Sequence, residues 1–385
     1  MNPLYQTMRT SVFERMSLAA AEFDAINLGQ GFPDFGWPDG ILQAAARATL
    51  EGSNQYAPSR GLPALREAVA AHYARHHGLA LDPAQVCVTS GATEAIAASL
   101  LALVEPGDEV IVFSPAYDAY APLIRQAGGT VREVALQPPG WRIDPGALRA
   151  AVTPRTRLIV VNNPHNPTGR LFDGSELSAI ASVAVDHDLD VLSDEVWEHV
   201  LLDGQAFTPI ASLPGMADRT IKVGSAGKMF SLTGWKVGWL VASPALADVA
   251  ARAHQFLTFA TAPNLQAAVA FGLDQGDAWI APMRTAFARA RDRMTRGLEA
   301  AGYTVLPSAS TYFLCVDLAA SGIALDDEAF AAAAVERAGV AVIPLSPFAE
   351  TAQPRHLVRL CFAKRDTTID SGVAALARAR AMLAG

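Results

Sequence analysis

The lysine of Ser225-Ala226-Gly227-Lys228 is flanked by small and apolar residues, with Met229 and Phe230 following it. In such a setting burial lowers an amine's pKa and frees it as a nucleophile. Ser225 and Lys236 stand near enough to serve an anion beside it. A Walker-type phosphate loop does not fit, because Lys222 stands where its glycine is required and Met229 where its Ser or Thr is. Asp194 follows apolar Val191-Leu192 together with Ser193 and Glu195. It is either a buried carboxylate that needs a cationic partner or an exposed acid at a helix start. The segment Asn162-Asn163-Pro164-His165-Asn166-Pro167-Thr168-Gly169 is a stiff loop of the kind that holds a side chain in fixed geometry. Ser90-Gly91-Ala92-Thr93-Glu94 turns into a helix whose free N–H groups suit a phosphate or an ordinary cap. Tyr117 could stack on a flat ligand or fill the core.

Each of these groups follows a short β-branched run. Runs at 85–89, 109–113, 130–134, 157–161, 190–193, 220–224 and 237–241 predict seven strands, and helical stretches at 93–104, 117–126 and 175–187 supply crossovers. The expected fold class is α/β, a mostly parallel seven-stranded sheet covered by helices, with ligands bound beyond the carboxyl ends of the strands. Residues 244–296 read as helical with breaks near Pro263 and at Pro282. Strands at 311–317 and 356–362 and helices at 326–338 and 367–383 then predict a smaller α+β C-terminal domain. The expected division is an N-terminal arm with part of the small domain at 1–44, a large domain at 45–275 and the small domain at 276–385.

Composition narrows the function. The 385 residues are 51% hydrophobic and carry a net charge of −8, which fits a soluble globular protein and argues against a nucleic-acid binder, since that needs a basic face. No apolar stretch approaches a membrane span, and Arg9, Glu14, Arg15 and Glu22 interrupt any secretory core near the N-terminus. A cytoplasmic protein is expected, with Cys87, Cys315 and Cys361 as reduced core thiols. His72 and His76 are four apart on a helix ending at Gly78, a spacing compatible with a metal, but basic residues there also suit the helix dipole, and no metal is expected. Gly29-Gln30-Gly31 lacks the third glycine of a dinucleotide fingerprint, where Asp34 stands.

Read together, the chain resembles a fold-type-I pyridoxal-phosphate aminotransferase of class I/II, most closely the branch of kynurenine, glutamine and methionine aminotransferases. The resemblance runs from Ile26-Asn27-Leu28-Gly29-Gln30-Gly31-Phe32-Pro33-Asp34-Phe35 through Asn54-Gln55-Tyr56 to Val358-Arg359-Leu360-Cys361-Phe362. Its most specific part is the ordered set Asn166, Asp194, Ser225, Lys228, Lys236 and Arg359. It implies pyridoxal 5'-phosphate as cofactor, with Lys228 as the Schiff-base lysine and proton carrier and Asp194 against the pyridine nitrogen. Asn166 would donate to the phenolic oxygen and Tyr117 would stack on the ring. Gly91, Ala92, Thr93, Ser225 and Lys236 would hold the phosphate. Tyr56 would reach in from the second subunit of a homodimer, and Gly31, Asn166 and Arg359 would bind the substrate, with Arg359 on its carboxylate. The family usually has a tyrosine where this chain has Trp197, whose N–H can donate from a different reach. The implied reaction passes an amino group from a neutral, aromatic or sulfur-containing amino acid to a 2-oxo acid, with Phe32, Phe35, Trp37 and Tyr120 as candidate wall residues. N-succinyl-diaminopimelate aminotransferase, cysteine-conjugate β-lyase and a cofactor-sensing regulator remain as alternatives.

Overall fold

The computed structural model describes residues 1–8, 10–351 and 354–383, so Arg9 lies outside the described residues. Its strands in chain order are β1 Ile26–Asn27, β2 Val86–Thr89, β3 Glu109–Ser114, β4 Thr130–Ala135, β5 Thr156–Asn162, β6 Asp190–Asp194, β7 Thr220–Ser225, β8 Gly238–Val241, β9 Thr304–Val305, β10 Phe313–Asp317, β11 Val340–Ala341, β12 Ile343–Pro344 and β13 Leu357–Cys361. The seven strands expected from the sequence form one sheet of order β2-β8-β7-β6-β5-β3-β4. Only β8 runs against its neighbours, pairing antiparallel with both β2 and β7. The α/β expectation therefore holds.

Strands buried on both faces read as continuous apolar runs, and β5 shows why. Its Leu158 and Val160 enter one core with the helix Ala92–Leu103, while Ile159 and Val161 enter another with the helix Gly174–Asp186. β3 divides in the same way, with Val110 and Val112 on one face and Ile111 and Phe113 on the other.

Beyond this sheet, β12-β13-β10-β9 form an antiparallel sheet, and β1 joins β11 in a parallel pair. The helix Val12–Glu22 rests Val12 on Ile343 and Phe348, so the N-terminal arm packs on this smaller sheet. Two expected boundaries are corrected. Pro282 does not break a helix; it is the third residue of Ile280–Ala300, where no N–H is needed for an i to i−4 bond. The helix expected from Tyr117 starts at Tyr120, leaving Tyr117 in the turn before it.

A buried cation pins the segment that follows β6. Lys222, on β7, has its Nζ 2.5 Å from Glu195 and 2.7 Å from Glu198, and all three are buried. Glu198 also meets His77 at 2.8 Å, and Glu195 accepts from Ser193 Oγ and the Ile210 N–H. Removing one partner of such a group leaves uncompensated buried charge. Lys222→Met is expected to cost about 3–5 kcal/mol of stability, measured as a lowered urea midpoint; an unchanged midpoint would show that Lys222 does not hold this turn.

Candidate active site

The carboxyl ends of the strands converge on a cavity of about 330 Å³. Its lining includes Gly31, Gly91, Ala92, Thr93, Tyr117, Asn166, Asp194, Trp197, Ser225, Lys228, Lys236 and Arg359, residues scattered over more than 300 positions of sequence. Tyr56 is the one named site residue that stands apart. It is 86% exposed and meets Phe259 edge-on, with ring centroids 5.7 Å apart.

The turn after β2 begins the helix Ala92–Leu103, with Gly91 as its cap at φ +79° and no side chain occupying the first free N–H groups. Lys236 is also in the left-handed region, at φ +54°, which carries its amine across to Gly91. A Cβ on Gly238 would come within 2.6 Å of the Ala92 N, so glycine there is what lets β8 start against the turn. The turn is braced from behind. Glu94 accepts from the Ser90 N–H, from Thr258 Oγ1 and from His254 Nδ1, while His254 Nε2 donates to Ser59 O. Burial works against the charge of His254, but the bond to Glu94, that carboxylate's charge and the backbone carbonyls of Ser59 and Phe259 together outweigh this and hold its pKa above the ordinary value.

Asp194 ends β6 and is buried. Desolvation raises its pKa to about 6, although a 2.6 Å bond from Tyr120 Oη to Oδ2 works the other way. Asn162 and the Asn163 N–H both donate to the Asp194 carbonyl, and Asn162 Oδ1 accepts from the Asn166 N–H. The asparagine-rich loop is thus tied to the end of β6, and it delivers Asn166 Oδ1 to Arg359 Nη1 at 2.9 Å.

Lys228 lies on the one-turn helix Ala226–Met229 after β7. Burial lowers its pKa to about 8. Its Nζ sits 3.2 Å from Tyr312 Oη and 4.7 Å from the centre of the Trp197 ring, so Trp197 offers the lysine its face instead of its N–H. Tyr312 in turn donates to Gly31 O at 2.7 Å. Arg359, on β13, donates through Nη2 to Gly29 O and lies over the Phe313 ring at 3.9 Å, while its buried Nε has no partner. Desolvation lowers its pKa to about 10.

The structure adds Phe13, Phe313 and Tyr312, which the sequence reading missed because they sit on a terminal helix, at the start of a strand of the smaller sheet and in the turn before it with no motif to mark them, and it places Gln30 of the Gly29-Gln30-Gly31 segment in the lining. Of the candidate wall residues, Phe32 lines the cavity. Phe35 packs on Phe287 and Trp37 is exposed. Tyr120 is buried on Asp194 because its hydroxyl finds an acceptor there.

A doubly covered α/β sheet that presents a lysine and a buried carboxylate at its strand ends, with a guanidinium brought in from the smaller sheet, has the groups an enzyme site needs for a small anionic molecule. Comparison with known proteins names the family. The sequence matches aminotransferase class I and II over residues 24–376. It is 46% identical over 376 residues to a probable N-succinyldiaminopimelate aminotransferase of Mycobacterium tuberculosis, covering 94% of each chain. It is 40% identical over 361 residues to a methionine aminotransferase of Escherichia coli, covering 94% of this chain and 93% of the other. The solved structure of N-succinyldiaminopimelate aminotransferase from Mycobacterium tuberculosis superposes with a TM-score of 0.95 at 45% identity, over 98% of this chain and 100% of that one. The chain belongs to the class I and II aminotransferases and is a transaminase acting on amino acids.

Tyr120→Phe is expected to leave Asp194 Oδ2 short of a donor in a dry site. In the cofactor-free protein this should cost about 1–3 kcal/mol, read from urea unfolding, and move the Asp194 carboxyl above its present pKa of about 6, because the bond removed is one that lowers it. A titration of that carboxyl by carbon NMR that finds no upward shift would contradict the assignment.

Proposed function

We propose that this transaminase uses pyridoxal 5'-phosphate and takes its amino group from an L-amino acid with a neutral, aromatic or sulfur-containing side chain, passing it to a 2-oxo acid in two half-reactions at one site. The observation that carries the reading is a single cavity bringing together Lys228, Asp194, Arg359 and an uncapped helix start.

The residues present fit that cofactor. The free N–H groups at Ala92 and Thr93 beside Gly91, with Ser225 and Lys236, make an anion cradle for its phosphate. Asp194 is a buried carboxylate whose desolvation is relieved by a cationic partner, which suits a protonated ring nitrogen. Tyr117 and Trp197 offer ring faces, and Asn166 offers an amide to the phenolic oxygen. When bound, pyridoxal phosphate supplies an aldehyde carbon to carry the amino group and a conjugated ring to take up the electron pair released at the substrate Cα. Lys228 would be the residue that holds that group, and its amine would accept and return the proton at the substrate Cα. A pKa lowered to about 8 leaves part of it neutral near pH 7, as a proton acceptor must be. Arg359 binds the substrate α-carboxylate, supported by its unpartnered Nε and by Asn166 and Gly29 holding its other nitrogens, with Gly31 beside it. Phe13, Gln30, Phe32 and Phe313 give the cavity an uncharged, largely aromatic wall, which supports a neutral donor side chain.

A homodimer in which Tyr56 serves the neighbouring site accords with the exposure of that ring away from its own cavity. Division at 1–44, 45–275 and 276–385 accords with a seven-stranded sheet confined to the middle span, a four-stranded sheet confined to the last, and the pairing of β1 with β11 that joins the first span to the last. Among the described residues no helix is long and apolar enough to cross a membrane. The three free, buried cysteines support a reducing, cytoplasmic setting. One second reading is favoured by a specific observation: the 46% identity to the M. tuberculosis protein supports N-succinyl-diaminopimelate as the donor.

Single amino donors added to the holoenzyme without an oxo acid separate these readings. Conversion of the bound cofactor to its amine form by methionine, phenylalanine, glutamine or kynurenine is expected. Conversion by N-succinyl-diaminopimelate alone would move the assignment to the second reading, and pyruvate released from cysteine conjugates without conversion would replace transamination by β-elimination. Lys228→Ala should lower turnover by about 10²–10⁴-fold or more. Arg359→Ala should weaken donor binding by about 2–5 kcal/mol, seen as a raised apparent KM with an unchanged cofactor spectrum; an unaltered KM would remove Arg359 from the carboxylate site.

A further inference from the structure

The helix Pro63–His77 carries His72 and His76 one turn apart, on one face and away from the cavity. The fold adds two partners that are distant in sequence. The turn after β6 brings His199 Nε2 to 2.8 Å from His72 Nε2. The loop between the helices Pro263–Asp274 and Ile280–Ala300 brings Asp277 Oδ1 to 2.8 Å from His76 Nε2. The three rings lie with centroids 4.4 to 4.9 Å apart, and one ligand atom each from His72, His76 and Asp277 lies within 4.8 Å of the others.

We infer that His72, His76 and Asp277, with His199 as fourth ligand, form a site for a divalent first-row transition cation such as Zn²⁺. The donor set decides the class, since imidazole nitrogens with one carboxylate suit zinc, nickel or copper and not calcium or magnesium. Geometry sets how far the site must move. Tetrahedral Zn–N bonds of about 2.0–2.1 Å put neighbouring donors about 3.3 Å apart. The His72–His199 and His76–Asp277 contacts must therefore open by about half an ångström, and separations within the cluster as wide as 4.8 Å must contract by about 1.5 Å. The exposed Asp277 and half-buried His76 are the members free to make that adjustment.

The contact between His72 and His199 points to a ligand for a second reason. Two imidazole nitrogens face to face at 2.8 Å can share only one N–H. A cation would take both lone pairs once the one N–H···N bond is broken and the shared proton moves to Nδ1 of the same ring, leaving both imidazoles neutral. The charged groups bearing on the cluster are Arg75, whose Nη2 is 3.9 Å from Asp277 Oδ1, and Glu198, which meets His77. A bound cation would clamp the helix Pro63–His77, the loop at Asp277 and the turn that continues from Asp194.

The test uses holoenzyme dialysed against a chelator, then titrated with CoCl₂ and displaced with ZnCl₂ while the visible bands of tetrahedral Co²⁺ are followed. One Co²⁺ per chain is expected. His76→Ala and Asp277→Asn, both at the outer edge of the cluster, should each weaken binding by about tenfold or more while leaving the half-reaction with an amino donor unchanged. The absence of saturable binding, or wild-type affinity in both variants, would overturn the inference.

Discussion

Asp194 is a carboxylate at the end of a buried strand, and taking it out of water costs several kcal/mol unless other groups offset the loss. Much of the surrounding structure can be traced to that constraint. Tyr120 donates to its oxygen, and the Val196 N–H reaches the other at 3.4 Å. Its own carbonyl is engaged by Asn162 and Asn163. Glu195 and Glu198, just beyond it, are neutralised by Lys222 from the next strand. The result is a carboxylate that stays in place and retains an appetite for positive charge, which is the condition a protonated heteroaromatic ligand satisfies.

The second organising contact runs between the two sheets. Arg359 belongs to β13 of the smaller sheet, yet Asn166 of the large-sheet loop and Gly29 of the N-terminal arm fix its guanidinium. Tyr312 links Lys228 to Gly31 in the same way. The Arg359 guanidinium and the Lys228 amine are therefore coupled through side chains from both sheets and the arm. A shift of the arm would be felt at the lysine as well as at the arginine, without any change in the large sheet.

Several features were legible in the sequence because local chemistry dictates them. Seven apolar β-branched runs stand out because strands covered on both faces need no alternation, and all seven lie in the one sheet. Small residues around Lys228 and the proline- and asparagine-rich loop were visible as exceptions to ordinary core and turn composition. Pro282 misled because a proline reads the same in a first turn as at a break; only the position of the helix start distinguishes them.

What remained illegible depends on distance in space between residues far apart in the chain. Tyr120 looked like a wall aromatic, and only the approach of the helix Tyr120–Gln126 to the end of β6 shows its hydroxyl bound to Asp194. Phe13 and Phe313 carry no motif and reach the cavity because the smaller sheet and the arm fold over it. His72 and His76 resembled residues suited to a helix dipole until His199 and Asp277 were brought beside them. The sequence by itself determined the seven strands of the large sheet and, through the residues that carry the family resemblance, the class of chemistry, because spacing and residue type act locally. Tertiary structure alone decided the partners, the burial that sets each pKa and the wall of the cavity, because desolvation and hydrogen bonding are set by neighbours that the linear order does not disclose.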